Sequence, residues 1–377
     1  MFKFKAAHII WALLLSVLAS CGSPVTKKDP EAASVKLDLK PAQFEDFTHW
    51  RSIVPKDAFV AFSKSCTQIP KRAYKTALAY SPYFGDVSDW KMLCQKQKIY
   101  SPERAHLFFE DNFTPVEVVA DNSKFTGYYE PILYGSYKRG GAYQYPLYAP
   151  PQGLSKPYPP RSQIVRGALK NHAKPLIWVT SEIDSFFLQI QGSGRIVLPD
   201  GKMIKAAYAD QNGHKYFAIG KYLIEKNYIP REKMSARAIK IWLKNNPQKA
   251  QYVMNKNPSY VFFKLKTDRA HEYAKGAAGV PLTPEYSLAV DRKIYPYGLP
   301  MWVETNVVVP DTRNYGRQMA FHRLMIAQDT GGAIKGPVRG DVFFGTGSHA
   351  EFMASHLASP GKKYLLLPKN AVAQAEF

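Results

Sequence analysis

Apolar residues along this chain follow two spacings, one typical of helices and one typical of strands. From Phe44 to about Phe109 they recur at steps of three and four, most clearly in residues 73–80 and 90–97. The helical spacing returns at residues 216–226 and 235–245, and a proline follows each of these segments within four residues. The sequence therefore predicts helices mainly in the N-terminal and central portions.

β-Branched and aromatic residues broken by Gly and Pro fill much of the remainder, and this composition is typical of strands. It marks residues 117–136 and 142–150, whereas the five prolines of residues 150–160 predict a loop. Residues 176–198 indicate a strand, a turn around Gly192-Ser193-Gly194 and a second strand. Short strands are predicted near the C-terminus at 286–291, 300–308, 320–328, 341–345 and 363–367. The predicted fold class is therefore α+β, mainly β, rather than a doubly wound sheet.

The first residues have the layout of an export signal. Lys3 and Lys5 precede an apolar run from Ile9 to Leu18, and Leu-Ala-Ser before Cys21 has the form of a lipobox. We expect residues 1–20 to be removed and Cys21 to be acylated, which would anchor the protein firmly. The alternative is an ordinary secretory signal with a coincidental cysteine.

Residues 21–40 are poor in large apolar side chains and are predicted to be a tether from the lipid. Gly22 and Ser23 follow the cysteine, and position 22 lacks the Asp that retains resembling bacterial lipoproteins in the inner membrane. The expected location is therefore the outer membrane, on its periplasmic face.

Basic residues outnumber acidic ones, 51 Lys and Arg against 30 Asp and Glu. Loss of Lys3 and Lys5 with the signal leaves 51 − 2 = 49 basic residues and a net charge of 49 − 30 = +19. Such an excess favours an anionic partner. Because nucleic acid is absent from an exported compartment, an acidic polymer such as the cell wall is the first candidate. A basic surface without a single partner is the alternative.

Two cysteines, Cys66 and Cys94, remain beside Cys21. An oxidising compartment favours a disulfide between them, and the alternative is two buried free thiols.

Common catalytic motifs are missing from the sequence. There is no HExxH and no Cys/His cluster for zinc, and neither a P-loop nor a dinucleotide fingerprint occurs. Ser193 lies in QGSGR and not in the GxSxG of a nucleophile elbow. We therefore predict neither a metal nor a cofactor.

Carboxylates are the side chains left to carry chemistry. Asp291, Asp329 and Asp341 each follow or begin an apolar strand, so we expect them to converge at one rim of a small barrel. A carboxyl group beside apolar walls has a raised pKa and can donate a proton near neutral pH. Asp341, which precedes Val-Phe-Phe, has such neighbours. Taken singly, each Asp could instead cap a turn.

Several segments from about residue 120 to the end resemble the MltA family of membrane-bound lytic murein transglycosylases. Its C-terminal three-aspartate domain is similar to AVDRKIYPYG, AQDTGGAIKG and GDVFFG. Its middle segment is similar to KFTGYYEP, QYPLY, LQIQGSGRI, YADQNGHKYFAIGKYLI and NPSYVFF. Together these motifs are highly specific, although no single one would be.

The resemblance implies a double-psi β-barrel domain formed by residues 41–130 and 266–377, with the three-aspartate module at about 286–368. A second β domain, residues 131–265, would be inserted into it, with a glycan groove between the two. In that family the aspartate matching Asp341 is the catalytic acid, and those matching Asp329 and Asp291 support it. The residues expected on the glycan side are Thr126, whose counterpart contacts the sugar chain, Tyr128, Gln191 and Ser193.

The implied activity is that of a peptidoglycan lytic exotransglycosylase, a carbon–oxygen lyase. It would cleave the β-1,4 bond between N-acetylmuramic acid and N-acetylglucosamine without water and leave 1,6-anhydromuramic ends. A single Asp would act first as acid and then as base, because the attacking hydroxyl belongs to the substrate. The implied partners are glycan strands, the outer membrane through the lipid anchor, and peptidoglycan synthases.

Two other functions are open at this point. Double-psi barrels also occur in expansin-like proteins, which bind or loosen cell walls without catalysis. The Asp-Thr-Gly at residues 329–331 is similar to that of aspartic proteases, but those enzymes need two such aspartates and this chain has one. Analysis of released products separates the three functions.

Overall fold

The computed structural model describes residues 37–71, 82–267, 272–311 and 316–374. The predicted signal segment, Cys21 and the predicted helix at 73–80 lie outside these ranges. Within them, no helix is long and apolar enough to cross a membrane.

Helices lie mainly in the N-terminal and central parts. The α-helices of the described residues are α1 (Lys56–Ser65), α2 (Val87–Gln97), α3 (Ala105–Asn112), α4 (Arg161–Ile164), α5 (Glu182–Gln191), α6 (Ile219–Glu225), α7 (Ala236–Asn245), α8 (Pro247–Met254), α9 (Ser348–His356) and α10 (Lys369–Gln374). Short 3-10 helices span Phe44–Asp46, Trp50–Ser52, Ile69–Lys71, Pro82–Phe84, Pro102–Arg104 and Arg231–Lys233.

Strands make up most of the remaining regular structure. They are β1 (Asp38–Pro41), β2 (Phe113–Val119), β3 (Ser123–Glu130), β4 (Ile132–Ser136), β5 (Tyr145–Tyr148), β6 (Pro175–Val179), β7 (Gly194–Val197), β8 (Met203–Gln211), β9 (Val261–Lys266), β10 (Ser287–Ala289), β11 (Pro300–Val309), β12 (Arg317–Asp329), β13 (Val338–Thr346), β14 (Ala358–Ser359) and β15 (Gly361–Pro368).

The larger sheet has nine strands in the order β1-β2-β15-β11-β12-β10-β13-β3-β14. Its strands come from residues 38–130 and 287–368, on both sides of the smaller sheet in sequence. Most neighbours are antiparallel, but β10 pairs with β12 and β13 pairs with β3 in parallel. No pairing among the described strands closes this sheet, so the double-psi topology stays a prediction.

The smaller sheet has six strands in the order β5-β6-β4-β7-β8-β9, all between residues 132 and 266. Leu133, Ile177, Ile196 and Phe263 form its buried core together with Leu188 from α5. The protein is therefore of mixed α and β structure, mainly β, as predicted.

The N-terminal helices pack on the larger sheet and fix the end of β12. Aromatic rings of α1 and α3 pack edge to face, as Phe59 and Phe108 do at 5.3 Å between ring centroids. The buried Gln328 amide donates to Ala61 O at 2.7 Å and to Ser65 Oγ at 2.8 Å, both on α1. Because a buried polar group without a partner is costly, these bonds hold the residue before Asp329 in one orientation.

Most predicted elements are confirmed. The helices at 90–97, 216–226 and 235–245 correspond to α2, α6 and α7, and the Ser235 hydroxyl caps α7 by accepting a hydrogen bond from Ala238 N at 3.1 Å. The strands predicted at 117–136, at 142–150 and in the last hundred residues are also present, and residues 150–160 form a loop.

Two predictions are wrong. Residues 176–198 do not form a simple strand–turn–strand unit, because α5 lies between β6 and β7. Ser181 caps this helix, and Gly192 ends it in the left-handed conformation with φ of 81°. The predicted tether also extends too far, since β1 begins at Asp38 and pairs with β2.

A disulfide joins Cys66, which follows α1, to Cys94 of α2, with 5.3 Å between the two Cα atoms. It closes a loop of 28 residues. Loop-closure entropy of this length corresponds to a stabilisation of about 3–4 kcal/mol.

We therefore expect the Cys66→Ser/Cys94→Ser variant to lose about 3–4 kcal/mol of unfolding free energy, because its unfolded chain regains the freedom of the loop. Urea unfolding of the oxidised protein and the double variant measures this difference. Addition of reductant should lower the stability of the wild type but leave the variant unchanged. Equal stability of the two proteins under oxidising conditions would contradict the stabilising role.

Candidate active site

The site is built around the parallel pairing of β3 with β13, whose register places Asp341 opposite Thr126. Thr126 Oγ1 donates to Asp341 Oδ1 at 2.5 Å. Both side chains are partly exposed, whereas Val342 and Phe343 after the acid are fully buried. The carboxyl group of Asp341 thus lies at the rim of the apolar core.

Burial raises the pKa of Asp341 to about 6. The hydrogen bond from Thr126 and the positive charge of Arg339 act in the opposite direction, and the negative charge of Asp329 raises the pKa further. Because removal from water disfavours the charged form, this carboxyl group holds its proton to a much higher pH than an exposed Asp. It is suited to donate a proton and then to accept one.

Asp329 ends β12 and is held by three donors. Tyr128 Oη donates to its Oδ2 at 2.8 Å, and the amides of Ala277 and Thr330 each donate to its Oδ1 at 2.9 Å. Burial raises the pKa of Asp329, and these hydrogen bonds oppose that shift. The Tyr128 hydroxyl proton is therefore directed at Asp329, which orients this carboxylate.

Asp291 lies beside the same strands but has a different environment. Its carboxylate accepts hydrogen bonds from the amides of Lys293 and Gly336, both at 3.1 Å, and Lys335 Nζ lies 3.7 Å from its Oδ1. The backbone amide of Val290 donates to Asp329 O at 3.0 Å. The structure therefore brings Asp329 and Asp341 into electrostatic contact, while Asp291 supports the loop between β12 and β13.

Two glycines allow the backbone to adopt this arrangement. Gly336 has φ of 108°, a conformation that favours glycine, and its amide reaches Asp291. A Cβ atom at Gly340 would lie 3.0 Å from side-chain atoms of Leu288 and Phe125. A side chain at position 340 would therefore require Leu288 and Phe125 to move by a few tenths of an ångström.

Gln191 and Ser193, the two predicted glycan contacts at the junction of α5 and β7, are hydrogen-bonded to other groups of the protein. Gln191 Oε1 accepts a hydrogen bond from Tyr129 N at 3.0 Å. Ser193 is buried and donates to Glu130 Oε1 at 3.4 Å, the oxygen that also pairs with Lys205 Nζ at 3.1 Å. Gln191 borders open space, whereas Ser193 belongs to a buried ionic cluster.

A cavity of about 520 Å³ lies beside Gln191 and is otherwise lined mainly by apolar residues, among them Phe187 and Ile239. Tyr216, on its wall, has a pKa raised by burial and is close enough to feel the charge of Asp341. Sequence reasoning did not find Tyr216 or Arg339. The position of Arg339, two residues before Asp341, could have indicated that its side chain lies near that carboxyl group. Tyr216 is more than a hundred residues from Asp341 in the sequence, so no spacing could have indicated it.

No group of three or more His, Cys, Asp or Glu side chains is placed to hold a metal ion in the part of the chain that the structure describes.

Two family models match the chain, the MltA specific insert domain over residues 124–264 and the 3D domain over residues 286–367. The membrane-bound lytic murein transglycosylase A of Vibrio cholerae is 32% identical over 326 residues, which cover 85% of this chain and 84% of that protein. This chain belongs to the MltA family of lytic murein transglycosylases. The Escherichia coli K12 member is 36% identical over 249 residues, 65% of this chain and 66% of its own length.

Solved MltA-family structures share the fold. A membrane-bound lytic murein transglycosylase from Agrobacterium tumefaciens has a TM-score of 0.77 at 29% identity and covers 89% of this chain and 99% of its own. The Neisseria gonorrhoeae MltA has a TM-score of 0.69 at 30% identity, with coverages of 90% and 96%. The Escherichia coli MltA with bound chitohexaose has a TM-score of 0.64 at 30% identity, with coverages of 84% and 91%.

The raised pKa of Asp341 has a consequence for the stability of this MltA-family protein. Between about pH 4 and pH 6 the folded protein keeps a proton that the unfolded chain, with the ordinary value of 3.8, has released. The free energy of unfolding therefore falls as the pH rises through this window.

We expect Asp341→Asn, which cannot ionise, to be about 2–3 kcal/mol more stable than the wild type at pH 8. The difference should disappear below about pH 3, where the wild-type carboxyl group is neutral in both states. Urea unfolding of both proteins at pH 8 and at low pH provides the measurement. A difference of the same size at both pH values would contradict an origin in the buried charge.

Proposed function

We propose that this protein is a lytic transglycosylase that cleaves the bond between N-acetylmuramic acid and N-acetylglucosamine in peptidoglycan, with Asp341 as the single acid and base. The observation that carries this proposal is the carboxyl group of Asp341 at the rim of the apolar core, where partial burial raises its pKa to about 6, within an MltA-family fold. The Escherichia coli relative bound to chitohexaose supports a carbohydrate substrate.

In the first step, protonated Asp341 donates its proton to the glycosidic oxygen, and the bond from that oxygen to C1 of the muramic residue breaks. Positive charge develops at the sugar ring in this step. Asp341, now ionised, and Asp329 nearby place negative charge close to it. Tyr128 holds the Asp329 carboxylate in position for this role.

In the second step, the C6 hydroxyl oxygen of the same muramic residue bonds to C1, and its proton passes to Asp341. The acid is thereby restored, and the product carries a 1,6-anhydro ring. No water is consumed, so the second carboxyl group that activates water in an ordinary glycosidase is not needed. The attack is intramolecular, which gives a high effective concentration of the hydroxyl group.

We further propose that the glycan lies in a groove between a double-psi β-barrel domain and the inserted domain that contains the smaller sheet. Thr126 and Tyr128 on β3 and Gln191 at the end of α5 stand on the two sides of this groove. The basic excess of the chain suits the carboxylates of the lactyl groups and stem peptides of peptidoglycan.

Digestion of purified sacculi tests the function. The wild type should release muropeptides that are lighter by one water molecule than hydrolysed products, as measured by mass spectrometry. Asp341→Asn should keep the fold but lose about a hundredfold to ten-thousandfold in turnover, because it has no proton to donate.

Asp200→Asn is the matched control, since Asp200 lies in an exposed turn of the smaller sheet and its substitution should leave turnover unchanged. Near-normal clearance of sacculi by Asp341→Asn would refute the assignment of the acid. Hydrated products would refute the anhydro mechanism, and binding without any release would favour an expansin-like protein.

We also propose that acylated Cys21 anchors the protein to the periplasmic face of the outer membrane, where peptidoglycan synthases are candidate partners. The lipobox before Cys21 and the membrane-bound relatives support this location.

Cells that express the wild type should incorporate labelled palmitate into the protein, whereas Cys21→Ser should remain unlabelled and be released from membranes. The purified variant should keep its activity on soluble glycans, because Cys21 precedes the folded domain. Unlabelled wild-type protein would show that the export signal is an ordinary one.

A further inference from the structure

Arg339 lies near Asp341 and is linked to it through the hydroxyl group of Thr126. Its Nη2 donates to Thr126 Oγ1 at 2.8 Å, and its Nη1 donates to Lys124 O at 3.2 Å and to Gly340 O. The guanidinium group is thus held at three points along the junction of β3 and β13. A guanidinium group has N–H donors and no acceptor, so each oxygen that it contacts must accept the hydrogen bond.

This requirement determines the direction of the Thr126 hydroxyl group. Because its oxygen accepts from Arg339, its hydrogen is free to point at Asp341 Oδ1, which lies 2.5 Å away. The oxygen that accepts this hydrogen bond is the poorer site for the acid proton. The proton of neutral Asp341 is therefore carried by Oδ2.

The backbone of Arg339 is held in place by a hydrogen bond from a side chain of β15. Lys363, fully buried on β15, donates through Nζ to Arg339 O at 2.8 Å and to Pro337 O at 2.9 Å. Tyr295 Oη also donates to Pro337 O at 2.9 Å. These donors fix the entry of β13, so the guanidinium group reaches Thr126 from a rigid base.

Charge adds to this geometry. Arg339 stays protonated because the pKa of a guanidinium group is far above the working range even where burial lowers it. Its positive charge lowers the pKa of Asp341, against the larger effect of burial. Without this charge the acid would hold its proton more tightly and would give it up less readily to the leaving oxygen.

We propose that Arg339 is a positioning residue of this active site, which fixes the donor direction of Thr126 and thereby the oxygen of Asp341 that carries the transferred proton. The inference rests on the proposed function, in which Asp341 is the acid. Arg339 acts through Thr126 and through its charge and does not itself touch the reacting atoms.

The test compares Arg339→Gln and Arg339→Lys with the wild type across the pH range, with kcat/KM measured on a soluble glycan strand. In the wild type, kcat/KM should fall as the pH rises through about 6, where Asp341 loses its proton. Arg339→Gln should move this alkaline limb upward by about one pH unit and lower the maximum about tenfold to a hundredfold. Arg317→Gln, an exposed arginine on β12, is the matched control and should leave the profile unchanged.

Arg339→Lys separates charge from geometry. Its ammonium group keeps the positive charge but lacks the planar fork that joins Thr126 to two carbonyl oxygens. The limb should therefore stay near the wild-type position while the maximum falls about tenfold. If thermal unfolding shows that Arg339→Gln does not fold, Arg339→Lys alone serves as the test. An alkaline limb that moves to higher pH in Arg339→Lys overturns the proposal.

Thr126→Val tests whether Arg339 acts through the hydroxyl group. In that background Arg339→Gln should lower the maximum less than it does in the wild type, because the hydrogen-bonded link is already broken. Independent, multiplying effects of the two substitutions overturn the proposal. A uniform loss of kcat/KM at every pH in Arg339→Gln, with an unmoved limb, does so as well.

A readout that does not depend on activity distinguishes failure of this inference from failure of the proposed function. The carboxyl carbon of Asp341, identified in a carbon-13 spectrum by its absence from Asp341→Asn, should titrate at a higher pH in Arg339→Gln than in the wild type. If it does so while Asp341→Asn remains active on glycan, the proposed function is wrong. If Asp341→Asn is inactive and the titration does not move, the inference about Arg339 alone is wrong.

Discussion

Strands β3 and β13 run side by side in parallel, and their register sets Thr126 directly opposite Asp341. A shift by one residue would turn every side chain on β13 to the other face of the sheet, since successive residues alternate. The acid would then point into the core, and Val342 would occupy its place. Close packing at Gly340 and the buried Phe343 hold the register, so the apolar core specifies the position of the polar site.

Burial acts on both carboxyl groups of the site, and the number of donors distinguishes them. Asp329 is held by three hydrogen bonds and by the rigid link from Gln328 to α1, whereas within the described residues Thr126 is the one donor to the Asp341 carboxyl group. The first arrangement favours a fixed carboxylate, and the second favours a group that exchanges its proton. Helix α1 thus helps to position Asp329 through Gln328.

Local patterns in the sequence predicted the strands well because β-branched and aromatic residues are frequent there, and Gly and Pro mark the breaks between them. They failed at α5, whose aromatic and β-branched residues face two different cores and therefore hide the helical period. The resemblance pointed to Asp341 as the proposed acid, but it did not show that the hydroxyl group of Ser193 binds Glu130 inside a buried cluster. Such contacts join residues 63 or more positions apart, and no spacing in the chain encodes them.

The bond between Thr126 and Asp341 connects residues 215 positions apart, and the whole smaller sheet lies between them in the chain. Closing so long a segment is entropically unfavourable until the intervening part has become compact. A chain that has been synthesised only as far as the smaller sheet therefore carries β3 without its partner strand β13 and lacks Asp341. The candidate site is thus assembled from two distant parts of the chain, and it is complete only when nearly the entire length has been synthesised and folded.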